Sequence, residues 1–324
     1  MPAHLRCFVL LAGAAAVPQA TVPPLPPLET PLGLGARTTE DPREAELAAL
    51  GARLFFDPLL SADHSVACAS CHAPERNFAD SVPFSRGAHG RATARNTPTL
   101  LNRAFGQRFM WDGRAATLEE QVLLPISNPL EMDLPLSEAV TRLSADESYR
   151  TEFARVVGAA PDAHGLARAL AAYVRRLVLG GSPVDRFRAG DFEALDDPAR
   201  AGLWFYESRG GCWRCHSGPN FSDEAFHNTG VGAEGGEPEP GRAGVTGLAA
   251  DRGRFKTPTL RGLASTAPYM HDGSLATLEE VVAFYRRGGN PNPGLDPALA
   301  PLEMSDADAR NLVAFLRALS VEAR

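Results

Sequence analysis

CASCH at Cys68–His72 and CWRCH at Cys212–His216 share one form, Cys-x-x-Cys-His, repeated 144 residues apart. Four of the chain's five cysteines stand in these two motifs, and the fifth, Cys7, lies near the N-terminus. Paired cysteines at this spacing serve three chemistries: a zinc ion held by four thiolates, disulfides or redox dithiols, and covalent attachment of c-type haem. Zinc knuckles usually place their pairs closer together than Cys71 and Cys212, which 140 residues separate. A dithiol leaves unexplained why histidine follows the second cysteine both times. Haem explains both features. Two thioethers hold the macrocycle, and His72 or His216 ligates its iron from the proximal side.

Working outward, the chain has 324 residues, room for two domains of ordinary size. A hydrophobic content of 44% is enough for real cores. The net charge of −7 argues against a nucleic-acid or anionic-membrane partner, since both need a basic face. Residues 1–20, MPAHLRCFVLLAGAAAVPQA, read as a cleaved export signal, with Arg6 before an apolar run from Cys7 to Val17. That run is too short to span a bilayer, and no other segment is apolar enough to do so. The expected location is the periplasm, and export agrees with haem attachment outside the cytoplasm. Residues 21–42 are rich in proline and read as an extended linker or arm.

Thr97–Val122 (TPTLLNRAFGQRFMWDGRAATLEEQV) and Thr257–Val282 (TPTLRGLASTAPYMHDGSLATLEEVV) are identical at 14 of 26 positions, at a constant offset of 160. An internal duplication follows, one haem unit per half. The expected fold is all-α: two cytochrome-c-like haem domains, residues 43–185 and 186–324. Because the haem motifs are offset by only 144, the second unit carries a 16-residue insertion. It falls in GVGAEGGEPEPGRAGVTG (residues 230–247), whose glycines predict a flexible surface loop. In TLEE, Thr117 and Thr277 predict helix N-caps, with Glu120 and Glu280 as capping-box partners. Further helices are expected over Pro42–Phe56, Ser137–Leu143, Tyr149–Val157, Asp162–Leu179, Pro198–Ser208 and Asp306–Leu319. Strand signals are weak.

The repeat makes the differences between its copies informative. Trp111 corresponds to His271, and Pro125 corresponds to Tyr285. Proline has no side-chain ligand atom and tyrosine has one. The haem of His216 can therefore take Tyr285 as its sixth ligand, while the haem of His72 stays open to peroxide or oxygen. Glu131, just beyond Pro125, is a carboxylate that can move a proton between the peroxide oxygens. Gln121, one helical turn before Pro125, can hydrogen-bond a bound oxygen species. Met304 is a rival sixth ligand. Met110 and Met270 stand at matched positions and read as shared core. His64, His164 and His227 have no motif around them and read as surface or core histidines.

FMWDGRAATLEEQVLLPISNPLEM and KTPTLRGLASTAPYMHDGS resemble the signatures of the bacterial di-haem cytochrome c peroxidases, including their MauG branch. The resemblance runs from about Glu44 to Leu319. It implies two covalently bound haem c groups, an interdomain calcium ion, and reduction of hydrogen peroxide at the first haem. His72 resembles the proximal ligand of the peroxidatic haem, Gln121 and Glu131 its distal residues, and Trp111 the tryptophan that relays electrons between haems. His216 resembles the proximal ligand of the electron-transfer haem. Asn96 by side chain, with Thr266 and Pro268 by carbonyl, resembles the calcium site, a set of hard oxygen donors. Typical peroxidases place methionine where Tyr285 stands, and Tyr285 resembles the MauG pattern, which favours ferric iron. MauG's surface tryptophan has its counterpart at Gly210, with Trp204 and Trp213 near but not aligned. His89 resembles a loop histidine that blocks the first haem until the second is reduced, with a solvated loop histidine as the alternative. The implied donor is a small cytochrome c or cupredoxin, and family members often form homodimers. Two other functions stay open: a MauG-like oxidase that modifies side chains of a partner protein, and a non-enzymatic di-haem electron carrier.

Overall fold

The computed structural model describes residues 22–26, 30–35, 43–233 and 236–321. The expected signal, residues 1–20, lies outside the described residues, as do 21, 27–29 and 36–42 of the expected arm.

Eleven α-helices follow one another among the described residues. They are α1 (Glu44–Phe56), α2 (Cys68–Cys71), α3 (Leu118–Ser127), α4 (Leu136–Ala145), α5 (Glu147–Val156), α6 (Ala163–Arg176), α7 (Pro183–Arg188), α8 (Asp197–Glu207), α9 (Ala243–Thr246), α10 (Leu278–Arg286) and α11 (Asp306–Arg317). The sheet is minimal: β1 (Phe226–His227) pairs antiparallel with β2 (Phe255–Lys256). The fold is mostly helical, in line with the all-α expectation.

Two hydrophobic clusters carry the packing. One runs from Leu47 to Leu177, with α1 crossing α6. The other runs from Val184 to Leu319, with α8 crossing α11. Each crossing is close because a glycine sits in it. A Cβ at Gly51 would lie 1.9 Å from the Ala169 carbonyl oxygen, and one at Gly202 would lie 2.0 Å from that of Asn311. Alanine at either place would force the helices apart.

The helices start where their caps predict. Thr117 Oγ1 accepts from Glu120 N, and Thr277 Oγ1 accepts from Glu280 N, both at 3.1 Å. The box is reciprocal only in the second copy, where Thr277 N donates to Glu280 Oε2 at 3.1 Å. In the first copy Glu120 Oε2 accepts instead from Ala116 N at 2.7 Å. The turns that precede α3 and α10 also match. Met110 and Met270 both take left-handed backbone, with φ of 67° and 74°, and bridges Phe109–Ala115 and Tyr269–Leu275 close both turns. Trp111 and His271 therefore sit at the tips of equivalent turns.

Two segments make contacts that composition does not show. The insertion after Gly230 is not simply a surface loop. Gly241 is buried, and Arg242 Nη1 donates to the carbonyls of Asp112 and Gly113 at 3.0 and 2.9 Å. A cationic side chain beside open carbonyls holds a glycine-rich stretch in place, which glycine content alone does not reveal. The described parts of the arm are likewise laid down on the body. Arg176 Nε donates to Pro26 O at 2.8 Å, Gly181 N to Leu32 O at 2.8 Å, and Arg261 Nη2 to Gly33 O at 3.0 Å. Arg261 itself is buried and makes two bonds to Asp185, at 2.7 and 2.9 Å.

Candidate functional site

A cavity of about 620 Å3 lies between the two cores. Cys68, Cys71 and His72 line it from one side, and Cys212, Cys215 and His216 from the other. Both histidines are held alike. His72 Nδ1 is 2.9 Å from Phe78 O, and His216 Nδ1 is 3.1 Å from Phe221 O. A carbonyl oxygen can only accept, so each Nδ1 carries the proton and each Nε2 keeps its lone pair. Burial pushes both imidazoles below the ordinary histidine range, against the backbone bonds that raise them. They are neutral imidazoles, the form that can ligate a metal.

Burial pushes Cys68 up to about 12, and Cys71 and Cys212 up to about 11. A redox dithiol works through a thiol whose pKa is depressed, and the Cys68–Cys71 pair has both thiols raised. The four thiols also do not meet. Among the described residues the cluster with metal-binding spacing holds one cysteine, Cys215, with Asp223 and His227. Two separate Cys-x-x-Cys-His motifs, each with a free Nε2 on a shared cavity, fit two haems and not a four-thiolate zinc.

On the first side Met110, Trp111, Gln121, Pro125 and Glu131 line the cavity. Asn128 Nδ2 donates to Glu131 Oε1 at 2.6 Å. Burial raises the Glu131 carboxyl above the usual range, opposed by the Asn128 bond and the Arg114 charge. Gln121 Nε2 approaches Met110 Sδ at 3.9 Å, a weak contact that a better acceptor would displace. On the second side Tyr285 and Met304 line the cavity. Burial first, then the neighbouring Cys215 and Cys212, push the Tyr285 phenol far up, so it stays protonated unless a metal cation displaces the proton.

Charged groups cluster where the halves meet. Arg95, Arg103, Arg114, Arg214 and Lys256 line the cavity, a cationic set suited to haem carboxylates. Arg103 Nη2 contacts both oxygens of Glu224, at 3.0 and 2.9 Å, and Lys256 Nζ is 3.6 Å from the same carboxylate. Burial, helped by Arg103, lowers Lys256 to about 7 against the pull of Glu224. Trp111 Nε1 donates to Asn96 O at 2.8 Å, and Lys256 N donates to Trp111 O at 2.8 Å. Asn96, Thr266 and Pro268, the residues expected at calcium, line this same cavity.

Sequence reasoning missed His227. It lines the cavity, with Nδ1 2.6 Å from Asp296 Oδ2 and Nε2 3.0 Å from Asp223 Oδ2. Contact with Cys215 first, then Asp296 and Asp223, push it up to about 10 against burial. A thioether at Cys215 would leave only the two carboxylates to do this. The signal was Asp223 four residues earlier, but Asp296 is distant in sequence. Arg95, Arg103 and Lys256 were missed as well.

His89, expected either to block the first haem or to be a solvated loop histidine, stands in the second of these positions. Its ring is not on the cavity wall. Nδ1 lies 3.3 Å from Asp63 Oδ2 and Nε2 lies 3.6 Å from Asp133 Oδ2, on an exposed side chain. Gly210 cannot carry a tryptophan: a Cβ there would lie 2.6 Å from the Phe205 ring. Trp204 and Trp213 are exposed, at 58% and 47%. No helix among the described residues is long and apolar enough to cross a membrane.

The family profile of the di-haem cytochrome c peroxidases matches residues 45–193. The chain is 40% identical to the methylamine utilization protein MauG of Methylorubrum extorquens, over 87% of this chain and 80% of that one. It is 35% identical to the cytochrome-c peroxidase IdrP1 of Denitromonas iodatirespirans, over 97% and 90%. Among solved structures it is similar to a MauG-like protein associated with microbial copper homeostasis, with a TM-score of 0.79, 30% identity, and coverage of 95% and 96%. A shared cavity that joins two Cys-x-x-Cys-His histidines, and relatives alike over nearly the whole length, make this chain a member of the di-haem cytochrome c peroxidase family.

Proposed function

We propose that this chain is a periplasmic peroxidase with two haem c groups, attached through Cys68 and Cys71 and through Cys212 and Cys215. His72 and His216 would hold the two irons, Tyr285 would offer its phenol oxygen to the second, and the two haem units arose by internal duplication, with domains at 43–185 and 186–324. Two separate cores and the matched turns before α3 and α10 support the duplication. A haem held by His72 would supply the redox chemistry that turns hydrogen peroxide, two electrons and two protons into two waters.

The observation that carries this reading is the contrast between Pro125 and Tyr285 on the wall of one cavity. Around the open side, Glu131 holds and moves a proton through its carboxyl oxygens, and Asn128 fixes its orientation. Gln121 offers an N–H to the oxygen species. Trp111 spans the boundary between the halves, tied to Asn96 on one side and Lys256 on the other, as an electron relay would be. Asn96, Thr266 and Pro268 supply oxygens for a calcium ion at that boundary. Electrons come from a small cytochrome c or cupredoxin.

A MauG-like oxidation of a partner protein is favoured by Tyr285 and disfavoured by Gly210, where the Phe205 ring leaves no room for a side chain. A pure electron carrier needs the first haem capped, and His89 is engaged elsewhere. The test is turnover of hydrogen peroxide with reduced cytochrome c, alongside low-temperature EPR of the ferric protein. Steady turnover with one high-spin and one low-spin signal is expected. Two low-spin signals with no turnover would overturn the peroxidase reading.

A further inference from the structure

Resting on the relay reading of Trp111, we propose that Glu239, carried by the insertion of the second half, is the positioning residue for electron passage through Trp111. It does so by bridging Arg95 and His271 around the tryptophan ring.

The insertion has no counterpart in the first half, yet it delivers one carboxylate to the boundary between the cores. Pro238 and Pro240 flank Glu239 and restrict its backbone. Gly253 N donates to Glu239 O at 3.1 Å, and Arg242 ties the loop to Asp112 and Gly113. The side chain is thus aimed from a fixed base.

Each carboxylate oxygen has its own partner from a different half. Oε2 accepts from Arg95 Nη2 at 3.1 Å, and Oε1 lies 2.7 Å from His271 Nε2, off the line of a straight hydrogen bond. Arg95 Nη1 donates to Asp112 Oδ2 at 2.8 Å, and Asp112 follows Trp111 in sequence. His271 lies flat on Phe255, with ring centres 3.6 Å apart, and presents an edge to Trp111 at 6.3 Å. Its backbone oxygen accepts from Asn96 N at 2.8 Å, and Asn96 O accepts from Trp111 Nε1 at 2.8 Å. The contacts close into a circuit from Trp111 through Asn96, His271, Glu239, Arg95 and Asp112 back to Trp111. Glu239 is the only link in it that the insertion supplies.

The charge matters as well as the geometry. Burial raises the Glu239 carboxyl, but the His271 contact and the Arg95 charge outweigh it and hold it below the usual range. It is a carboxylate beside the relay ring. Asp112 faces both Arg95 and Arg114, so Glu239 brings the cluster to two cations and two carboxylates, and its removal would leave net positive charge beside Trp111. Removing it loosens the ring as well.

The experiment uses the full chain with both haems. Pulse radiolysis adds one electron to the fully ferric protein, and its passage between the two sites is followed as the change from one haem spectrum to the other. Trp111→Phe serves as the reference for loss of the relay. Glu239→Ala and Glu239→Gln are expected to slow passage by about tenfold, with Glu239→Asp restoring most of the rate. Both haem potentials and the unfolding temperature are expected to stay at their wild-type values. A wild-type rate in Glu239→Ala with a slow Trp111→Phe overturns this proposal and leaves the relay intact. A wild-type rate in Trp111→Phe overturns the relay itself. Slowing that tracks a shifted haem potential, or that Glu239→Asp does not reverse, also overturns the role given to Glu239.

Discussion

Arg103 and Glu224 meet across the boundary between the two cores, with one guanidinium nitrogen 3.0 and 2.9 Å from the two carboxylate oxygens and side-chain exposures of only 10% and 7%. The same carboxylate faces Lys256. Glu224→Gln would leave the buried Arg103 cation without its counter-charge. The expected loss is about 3–5 kcal/mol of stability, read as a shift in denaturant midpoint. The exposed pair Arg317–Glu279, at 59% and 57%, is the control: Glu279→Gln is expected to cost less than about 1 kcal/mol.

Glu131 sets a pH signature. Burial raises its pKa, so the carboxylate needed to accept a proton persists only above a value higher than the ordinary ~4.3. Peroxidase activity is expected to fall as pH drops through that raised value. The linkage to folding has the opposite sense, because the buried neutral acid favours the native state and that favour is lost as pH rises through the same value. Glu131→Gln should therefore lower turnover by roughly 100- to 10,000-fold, remove the acid limb, and leave stability at neutral pH unchanged or higher. A pH–rate profile with thermal unfolding at pH 7 checks both.

Tyr285 is expected to hold the second haem at low potential. Tyr285→Met should raise that potential by a sizeable part of the ~0.8 V that axial ligands span, and Tyr285→Phe should convert the low-spin ferric EPR signal. Met304 lines the same cavity, so a low-spin signal that survives in Tyr285→Phe and disappears in the Tyr285→Phe, Met304→Leu double variant would transfer the ligand role to Met304.

His89→Ala is expected to leave the ferric EPR spectrum unchanged. Asp63 and Asp133 hold the ring on the surface. Loss of a low-spin signal in this variant would show that the loop swings in to cap the first iron.

Much of this was legible because the chemistry is local. The two motifs announce their histidines within five residues, and the 160-residue offset pairs Pro125 with Tyr285 without any structure. Threonine caps and helical periodicity placed the longer helices to within a few residues of their ends. What stayed hidden was joint work by distant residues. Nothing near His227 pointed to Asp296, 69 positions away. Nothing in a glycine-rich insertion said that Glu239 would reach Arg95, 144 positions earlier. Composition read that stretch as surface because glycine and proline mark turns, and a turn can be packed inward as readily as outward. His89 could not be decided from sequence for a related reason: its partners, Asp63 and Asp133, are single charges that no motif flags.

The cavity between the cores also bears on how the molecule is made. Its walls come from both halves, so a fragment carrying either half alone would leave its share of the apolar lining facing water. The chain is therefore expected to be divisible in sequence but not in solution, and separate expression of residues 43–185 or 186–324 is expected to give a less soluble product than the whole.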